Sequence, residues 1–295
     1  MFKTLKKSKE TVVKTITLFR SKIRSRHPTH SILRSELELL PFPNVVRLGS
    51  TTKVPDFKTR LGKIIKRIEI NSIESIQNSA SKFRMKDCFK KLDVKTAEFF
   101  KVSEVNEAIA TWDIFPLVAK INFGSRGTGM VKIDTIEQLE DFLIDTKDLS
   151  RYYFERFYNY SREYRLHIDS EECFYTCRKM IKSDTPEDKR WFKNDSNSVW
   201  IMEENEFFDK PSNWDIIVKE CIKALLSVGL DVGACDVRVQ SEKTGKGNQR
   251  EEIDFIIVEI NSAPSFGDVT SKKYLTQIPK ILKRKHNELL HNIQS

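Results

Sequence analysis

The alternation of apolar and polar positions is most telling at residues 255–266, FIIVEINSAPSF, where an apolar run ends in a carboxylate and an amide. Strand alternation places Ile257, Glu259 and Asn261 on one face, with Val258 and Ile260 on the other. A buried strand does not carry such polar groups without something to satisfy them, and a cation is one candidate. Upstream, PNVVRLGSTT (43–52) reads as a short strand entering a Gly-Ser turn, and residues 56–70 as helical or irregular. Residues 81–92 have the pattern of an amphipathic helix, followed by an extended VKTAEFF. FPLVAKI is a buried strand, GSRGTG a loop and MVKI a return strand. TIEQLEDFLID is a helix with Thr135 placed as its N-cap. RYYFERFY and EYRLHIDSEECFYTCRKMI supply three more strands, and the polar stretch from Lys182 to Ser198 a mobile loop. WDIIVKECIKALLSVGL is a helix stopped at Gly229. ACDVRVQ and IDFIIVEI are two strands joined by the charged SEKTGKGNQREE. The pattern predicts a mixed α/β (α+β) chain without internal repeats.

Composition narrows the class. The chain has 295 residues, 39% hydrophobic and 32% charged, which describes a soluble globular protein with room for one large or two to three small domains. No apolar run approaches membrane-spanning length, and no apolar secretory stretch opens the chain, so no membrane partner is expected. Five cysteines are far apart except Cys173 and Cys177, which lie in a strand-like run without a second ligand pair. Reduced thiols in a cytoplasmic protein are the simpler reading, and a zinc site is disfavoured. The net charge of +9 is concentrated at residues 1–30, which hold nine Lys or Arg against Glu10. Val12, Val13, Ile16, Phe19 and Ile23 give this segment the rough stripe of a basic helix. It suits nucleic acid, an acidic partner or plain solvation, and has the acid-poor look of a transit peptide.

Two stretches carry candidate chemistry. In AKINFGSRGTGMVKI, Gly124, Gly127 and Gly129 are flanked by strands, with Lys120 four residues ahead. Glycines let backbone N–H groups approach an anion, and a lysine adds a point charge. A strand follows the loop where the Walker and Rossmann arrangements need a helix, so a phosphate site and a structural hairpin both remain open. In the second stretch, antiparallel pairing of ACDVRVQ with IDFIIVEI brings Asp236 beside Glu259 and Asn261. That oxygen set suits Mg²⁺. The alternative is that Asp236 pairs with Arg238 or another cation and Glu259 caps the strand end.

Taken in order, SASKFRMKDCFKKLDV, VAKINFGSRGTGM, FERF, EYRLHI, ACDV and VEINSAPS resemble the ATP-grasp superfamily from about Val45 to about Val269. The likeness is greatest to ligases that add glutamate to a ribosomal protein and to phage-encoded relatives with RLGST and EYRxH elements. The resemblance implies two α+β subdomains holding ATP between antiparallel sheets, behind a reduced N-terminal α/β domain. It divides the chain into a basic segment (1–35), the reduced domain (36–80), a lid subdomain (81–152) and a large subdomain with the metal site (153–295).

The resemblance also implies roles. Lys82 and Lys120 bind ATP phosphates under the loop Gly124, Ser125, Arg126, Gly127, Thr128 and Gly129. Glu155 meets the adenine amino group beside the backbone of Arg156 and Phe157, and Glu163 holds ribose. Asp236, Glu259 and Asn261 hold one or two Mg²⁺, with Mn²⁺ as a substitute. Arg165 stabilises the transferring phosphoryl group or the tetrahedral intermediate, helped by Arg178 or Lys179. Lys193 and Asn194 lie near the phosphates or the substrate, and Ile257 lines adenine. Simpler roles stand beside these: Lys82 as a solvated helix lysine, Arg165 paired with Glu163 or Asp169, Glu155 in a salt bridge, and His167 as structural. Phe154, Phe157 and Ile257 serve equally as core.

The activity implied is ATP-dependent joining of a carboxylate to an amine, an amino acid and a protein or peptide among the partners, in the cytoplasm (the host's, if viral). The alternatives are a kinase of the same fold, a ligase acting on nucleic acid, and a non-catalytic nucleotide-binding or virion protein.

Overall fold

The structure, a computed structural model, describes residues 15–19, 43–58, 60–111, 114–124, 127–194, 196–243, 250–265 and 267–294. The chain separates into two compact units, residues 1–73 with 265–295, and residues 74–264.

In the first unit, β1 (Thr15–Phe19), β2 (Asn44–Leu48) and β3 (Ile68–Ile70) form a parallel sheet in that order. β2 is buried throughout, as the run NVVRL requires of a central parallel strand. Its one charge, Arg47, lies 3.3 Å from Glu69 and donates to Thr52 O at 3.2 Å. β1 occupies part of the segment whose apolar stripe suggested a basic helix; the rest of that segment lies outside the described residues. The unit also contains the final helix, Asp268–Gln294. Its buried Tyr274, Ile278, Ile281, Leu282 and His286 recur at helical spacing.

The second unit takes up α1 (Ile73–Ala80) from its second residue, then α2 (Lys82–Lys91), β4 (Phe99–Lys101) and α3 (Val105–Thr111). β5 (Leu117–Ile121), β6 (Val131–Ile133), α4 (Ile136–Asp145) and β7 (Tyr152–Arg156) follow. β4, β7, β5 and β6 make a four-stranded antiparallel sheet in that order. One face packs Phe100, Leu117, Ala119, Ile133, Leu139 and Phe154 into a core. Thr135 caps α4 by accepting from Gln138 N, as the sequence predicts.

The larger sheet has five antiparallel strands. These are β8 (Arg162–Asp169), β9 (Cys173–Ile181), β10 (Ser198–Met202), β11 (Val232–Lys243) and β12 (Arg250–Asn261), ordered β10-β9-β8-β11-β12. α5 (Trp214–Ser227) covers one face with Ile217, Cys221, Ala224 and Leu225. They join Tyr164, Leu166, Cys235, Val237, Ile257 and Ile260 in the core. α5 ends where expected: Gly229 has φ +76°, Leu230 N donates to Leu225 O, and Gly229 N to Leu226 O. Numbering the Asp268–Gln294 helix α6 completes the chain. Among the described residues no helix is long and apolar enough to cross a membrane.

Candidate active site

Because one face of the large sheet is committed to α5 and the core, alternation sends the intervening residues to the other. The register puts Asp236 opposite Arg165 on β8 and Glu259 on β12, Arg238 opposite Glu163, and Ala234 opposite His167 and Asn261. Lys179 continues the row opposite Glu163, and Trp200 stands opposite Lys179. Asp236 and Glu259 are therefore adjacent, as antiparallel pairing of the two carboxylate strands predicts.

A β-bulge lies between Asp236 and Val237: Asp236 faces Glu259, yet Val237 faces Ile257. Val258 is the extra residue, so alternation is interrupted there. Ile257 consequently enters the core with Val237 rather than sharing Glu259's face, which corrects both the expected alternation and its assignment to an adenine pocket. Ile256, opposite Arg238, stands on the site side instead. The bulge is fixed from outside the sheet, with Ile257 N donating to Lys95 O and Thr96 Oγ1 donating to Ile257 O.

The charges on this face meet in pairs. Arg165 grips Asp236 with two bonds, Nε to Oδ1 at 2.6 Å and Nη2 to Oδ2 at 2.8 Å. Lys82, in the first turn of α2, donates to Glu259 Oε2 at 2.8 Å, and Asn261 Nδ2 donates to Glu259 Oε1 at 3.0 Å. Arg238 Nε donates to Glu163 at 3.2 Å. From the smaller sheet, Lys120 on β5 donates to Glu155 on β7, Lys86 on α2 reaches the same carboxylate at 2.9 Å, and Tyr153 Oη donates to it at 3.2 Å. Asn122 joins helix to strand: its Oδ1 accepts from Ser81 Oγ and Phe83 N, and its O from Lys82 N.

Burial sets the electrostatics. Desolvation alone would raise the Glu155 pKa, but Lys120 and Lys86 hold it at about 2. Two ammoniums share that one carboxylate, and burial, aided by Arg238 and Lys86, brings Lys120 down to about 8 despite Glu155. Glu259 is held well below the usual carboxylate range, since Lys82 overrides burial there. Burial opposes the charge on Arg165, yet Asp236 keeps it firmly protonated. Asp236 stays above its ordinary value because burial, with Glu259 and Glu163 nearby, outweighs Arg165. His167 is brought to about 3 by burial and Arg165; it is buried beside Phe174 and Tyr175, in keeping with a structural role.

A second group of cations borders this row. Lys179 Nζ donates to Lys193 O at 3.0 Å and lies 5.1 Å from the Trp200 ring centre, while the Arg165 guanidinium lies 4.7 Å from that ring. Lys193 and Arg238 lie over Tyr160 at 4.5 and 4.2 Å, and burial brings Lys193 to about 8. The segment 182–198 is built on turns: Asn194 Oδ1 accepts from Ser196 N and Asn197 N, which gives Asn194 a loop-forming role. Arg178 is not part of the row. It aligns with Tyr164 on the opposite face and pairs with Asp209, as Arg162 does, so the expected catalytic help from it is not supported.

The glycine loop joins β5 to β6. Gly127 and Gly129 have φ of +74° and +68°. A Cβ on Gly129 would sit 2.3 Å from Ile121 Cδ1, and one on Gly127 3.1 Å from the Phe192 ring. Thr128 is exposed and Gly124 half-buried, whereas Ser125 and Arg126 lie outside the described residues. At the end of β7, Arg156 N donates to Glu98 O and Phe157 N to Pro116 O, so both amides are engaged. Phe157 packs edge-on against Trp191.

No protein-family model matches the chain, and no curated protein matches it in sequence. Solved structures do. The D-alanine–D-alanine ligase of Bacillus anthracis superposes with a TM-score of 0.52 at 14% identity, over 75% of this chain and 73% of that one. N5-carboxyaminoimidazole synthetase of Staphylococcus aureus complexed with ADP gives 0.52 at 17%, over 74% and 55%. Carboxyaminoimidazole ribonucleotide synthase of Aspergillus clavatus complexed with ATP gives 0.51 at 15%, over 75% and 54%. The fold is the ATP-grasp fold. The chain thus spans about three quarters of the first of these proteins and just over half of the other two.

Within this ATP-grasp fold, Lys86, Arg238, Ile256 and Trp200 join the candidate site by position, which the sequence pattern does not disclose. Lys86 is hidden among the lysines of KFRMKDCFKK, although its place one residue after Met85 and three before Phe89 marks an inward-facing position. The oxygen donors of Asp236, Glu259 and Asn261 share one face, a hard-oxygen set that fits a divalent cation. Among the described residues no three His, Cys, Asp or Glu gather as a metal cluster, so the set depends on the amide of Asn261.

Proposed function

We propose that the protein is an ATP-dependent ligase joining a carboxylate to an amine through an acyl phosphate. The observation that carries this reading is the juxtaposition of Asp236 with Glu259 and Arg165 on one sheet face, with Lys82 bonded to that face from α2. The three superposed proteins are, by name, a ligase, a synthetase and a synthase, two of them complexed with ADP or ATP, which supports the same class.

Each residue then has a task. Lys82 and Lys120 neutralise nucleotide phosphates beneath the 124–129 loop, whose glycines let backbone N–H groups come close. Glu155 orients Lys86 and Lys120; to meet adenine itself it would have to leave those lysines. Arg156 and Phe157 line the strand end beside it, Glu163 suits ribose hydroxyls, and Ile256 replaces Ile257 as the apolar wall. Asp236, Glu259 and Asn261 would hold Mg²⁺ or Mn²⁺. Such an ion, when bound, offsets phosphate charge and orients the γ-phosphoryl group.

The substrate carboxylate oxygen attacks the γ-phosphorus, the bond to the β-phosphate oxygen breaks, and ADP departs. The amine then attacks the acyl carbon, phosphate leaves, and the nitrogen loses a proton to give the amide. Arg165 is placed to stabilise the charge in both steps, and Lys179 lies beside it over Trp200. We further assign residues 81–152 as the lid and the strands after 153 as the ligand-holding half. Free cysteines suit a cytoplasmic setting.

The test is ADP release by purified protein with Mg²⁺ and candidate amino acids, in parallel with Asp236→Ala and Glu259→Ala. Both variants are expected to fold and to lose nearly all turnover; undiminished turnover would remove the metal assignment. Hydroxylamine should trap an acyl hydroxamate, whereas a kinase of the same fold would give none.

A further inference from the structure

The fold partitions charge in a way that the linear sequence conceals. The described residues of the first unit hold 13 Lys and Arg against four Asp and Glu, a net of +9. The described residues of 74–264, which contain the candidate active site, hold 26 against 33, a net of −7. The C-terminal helix and the segment between β2 and β3 are remote in sequence, yet they share one unit.

Within that unit, α6 strings exposed cations along its length. Lys272, Lys280 and Lys283 are exposed on α6, and the spacing of Lys272, Thr276, Lys280, Lys283 and Asn287 sets them along one helical face. Tyr274, Ile278, Ile281 and Leu282 of α6 are buried on the other side. No carboxylate occurs between Asp268 and Glu288. At about 1.5 Å per residue, Lys272 to Lys283 spans roughly 16 Å. Lys53, Lys58, Arg60, Lys63 and Lys66 are exposed in the segment between β2 and β3.

We propose that this unit binds nucleic acid through its phosphate backbone, with the exposed face of α6 as a principal contact. A small anion would need convergent donors, whereas a row of separated cations suits a regular polyanion. An anionic lipid surface is less well matched, since membrane-surface helices bury an apolar face in lipid and α6 commits its apolar face to the protein. The proposal goes beyond the ligase reading and needs neither ATP nor the candidate active site.

The experiment uses the full chain and a fluorescein-labelled 20-nucleotide RNA, with anisotropy read over a salt series. One triple variant carries Lys272→Gln, Lys280→Gln and Lys283→Gln. A second removes the same charge from the other unit with Lys90→Gln, Lys91→Gln and Lys101→Gln. The first is expected to bind at least about tenfold more weakly and to flatten the log–log salt dependence by roughly two to three, about one per lost phosphate contact; the second should stay within about twofold. Glu259→Gln without nucleotide should bind as the parent does, which separates this result from the fate of the ligase reading. Equal weakening by both triples, no binding at low salt, or α6-dependent binding only to phosphatidylserine vesicles or polyglutamate would overturn the proposal.

Discussion

Lys82 Nζ and Glu259 Oε2, 177 residues apart in sequence, meet at 2.8 Å and tie the first turn of α2 to the end of β12. The pair joins a cation suited to phosphate with an anion suited to a metal. On the proposed function, each would exchange partners when magnesium nucleotide enters. Lys82→Ala should therefore lower ADP release by two to three orders of magnitude, in line with loss of one charge-stabilising donor. Lys82→Arg should recover part of it. Steady-state assays at saturating ATP check this, and an unchanged kcat in Lys82→Ala would reduce the lysine to a structural tie.

Glu155 is the anion between two buried lysines, and replacing it strands both. Its pKa falls from the unfolded 4.5 to about 2, so its contribution to stability is present above pH 4.5 and is lost as pH falls through that window. The shift corresponds to about 3 kcal/mol at neutral pH. Glu155→Gln should cost an amount of that order at pH 7 and much less near pH 2. Urea unfolding at the two pH values measures the difference.

Lys120 is half deprotonated at about pH 8 in the free protein, because burial works against its charge. If it neutralises nucleotide phosphate, kcat/KM for ATP should decline above about pH 8 as the ammonium is lost. Lys120→Arg retains its charge and should move that decline to higher pH. A profile that is flat from pH 7 to 9.5 in the parent protein would detach Lys120 from phosphate binding.

Gly129 combines a positive φ with a neighbour that a methyl group would strike at 2.3 Å. Gly129→Ala should raise KM for ATP at least several-fold, with the melting temperature falling by no more than a few degrees, since the change is confined to a loop. Gly62→Ala, where φ is also positive but open space surrounds the position, supplies the comparison: backbone strain alone, with no effect on KM.

Much of this fold is legible in the order of residues alone. The α2, α4 and α5 helices follow apolar spacing, and Ser81, Thr135 and Gly229 mark ends that local hydrogen bonds enforce. The pairing of Asp236 with Glu259 follows from two apolar strands joined by one charged loop. What the pattern leaves unmarked has physical causes. α6 carries Pro279 in its interior and a run of lysines outside, which mask the recurrence of Tyr274, Ile278 and Ile281. β10 is a short edge strand after a polar stretch, so SVWIM lacks flanking signals. The ion-pair partners carry no linear signal at all. Arg165 takes Asp236 over Glu163 or Asp169 through cross-strand register, which is set by the whole sheet and not by neighbours in sequence. The face of Ile257 is misleading in the sequence because a bulge leaves no apolar-pattern signature in so uniform a run.

That extra residue, Val258, also has a consequence for how tolerant the chain is of length changes. A single-codon deletion anywhere between Ile256 and Val258 would restore an unbroken zigzag and force a choice on β12: either Glu259 points into hydrocarbon or the aliphatic run turns toward water. Substitutions here are graded in cost, but a frame-preserving loss of one amino acid inverts the strand's sidedness, so this short run should be among the least forgiving of indels in the protein.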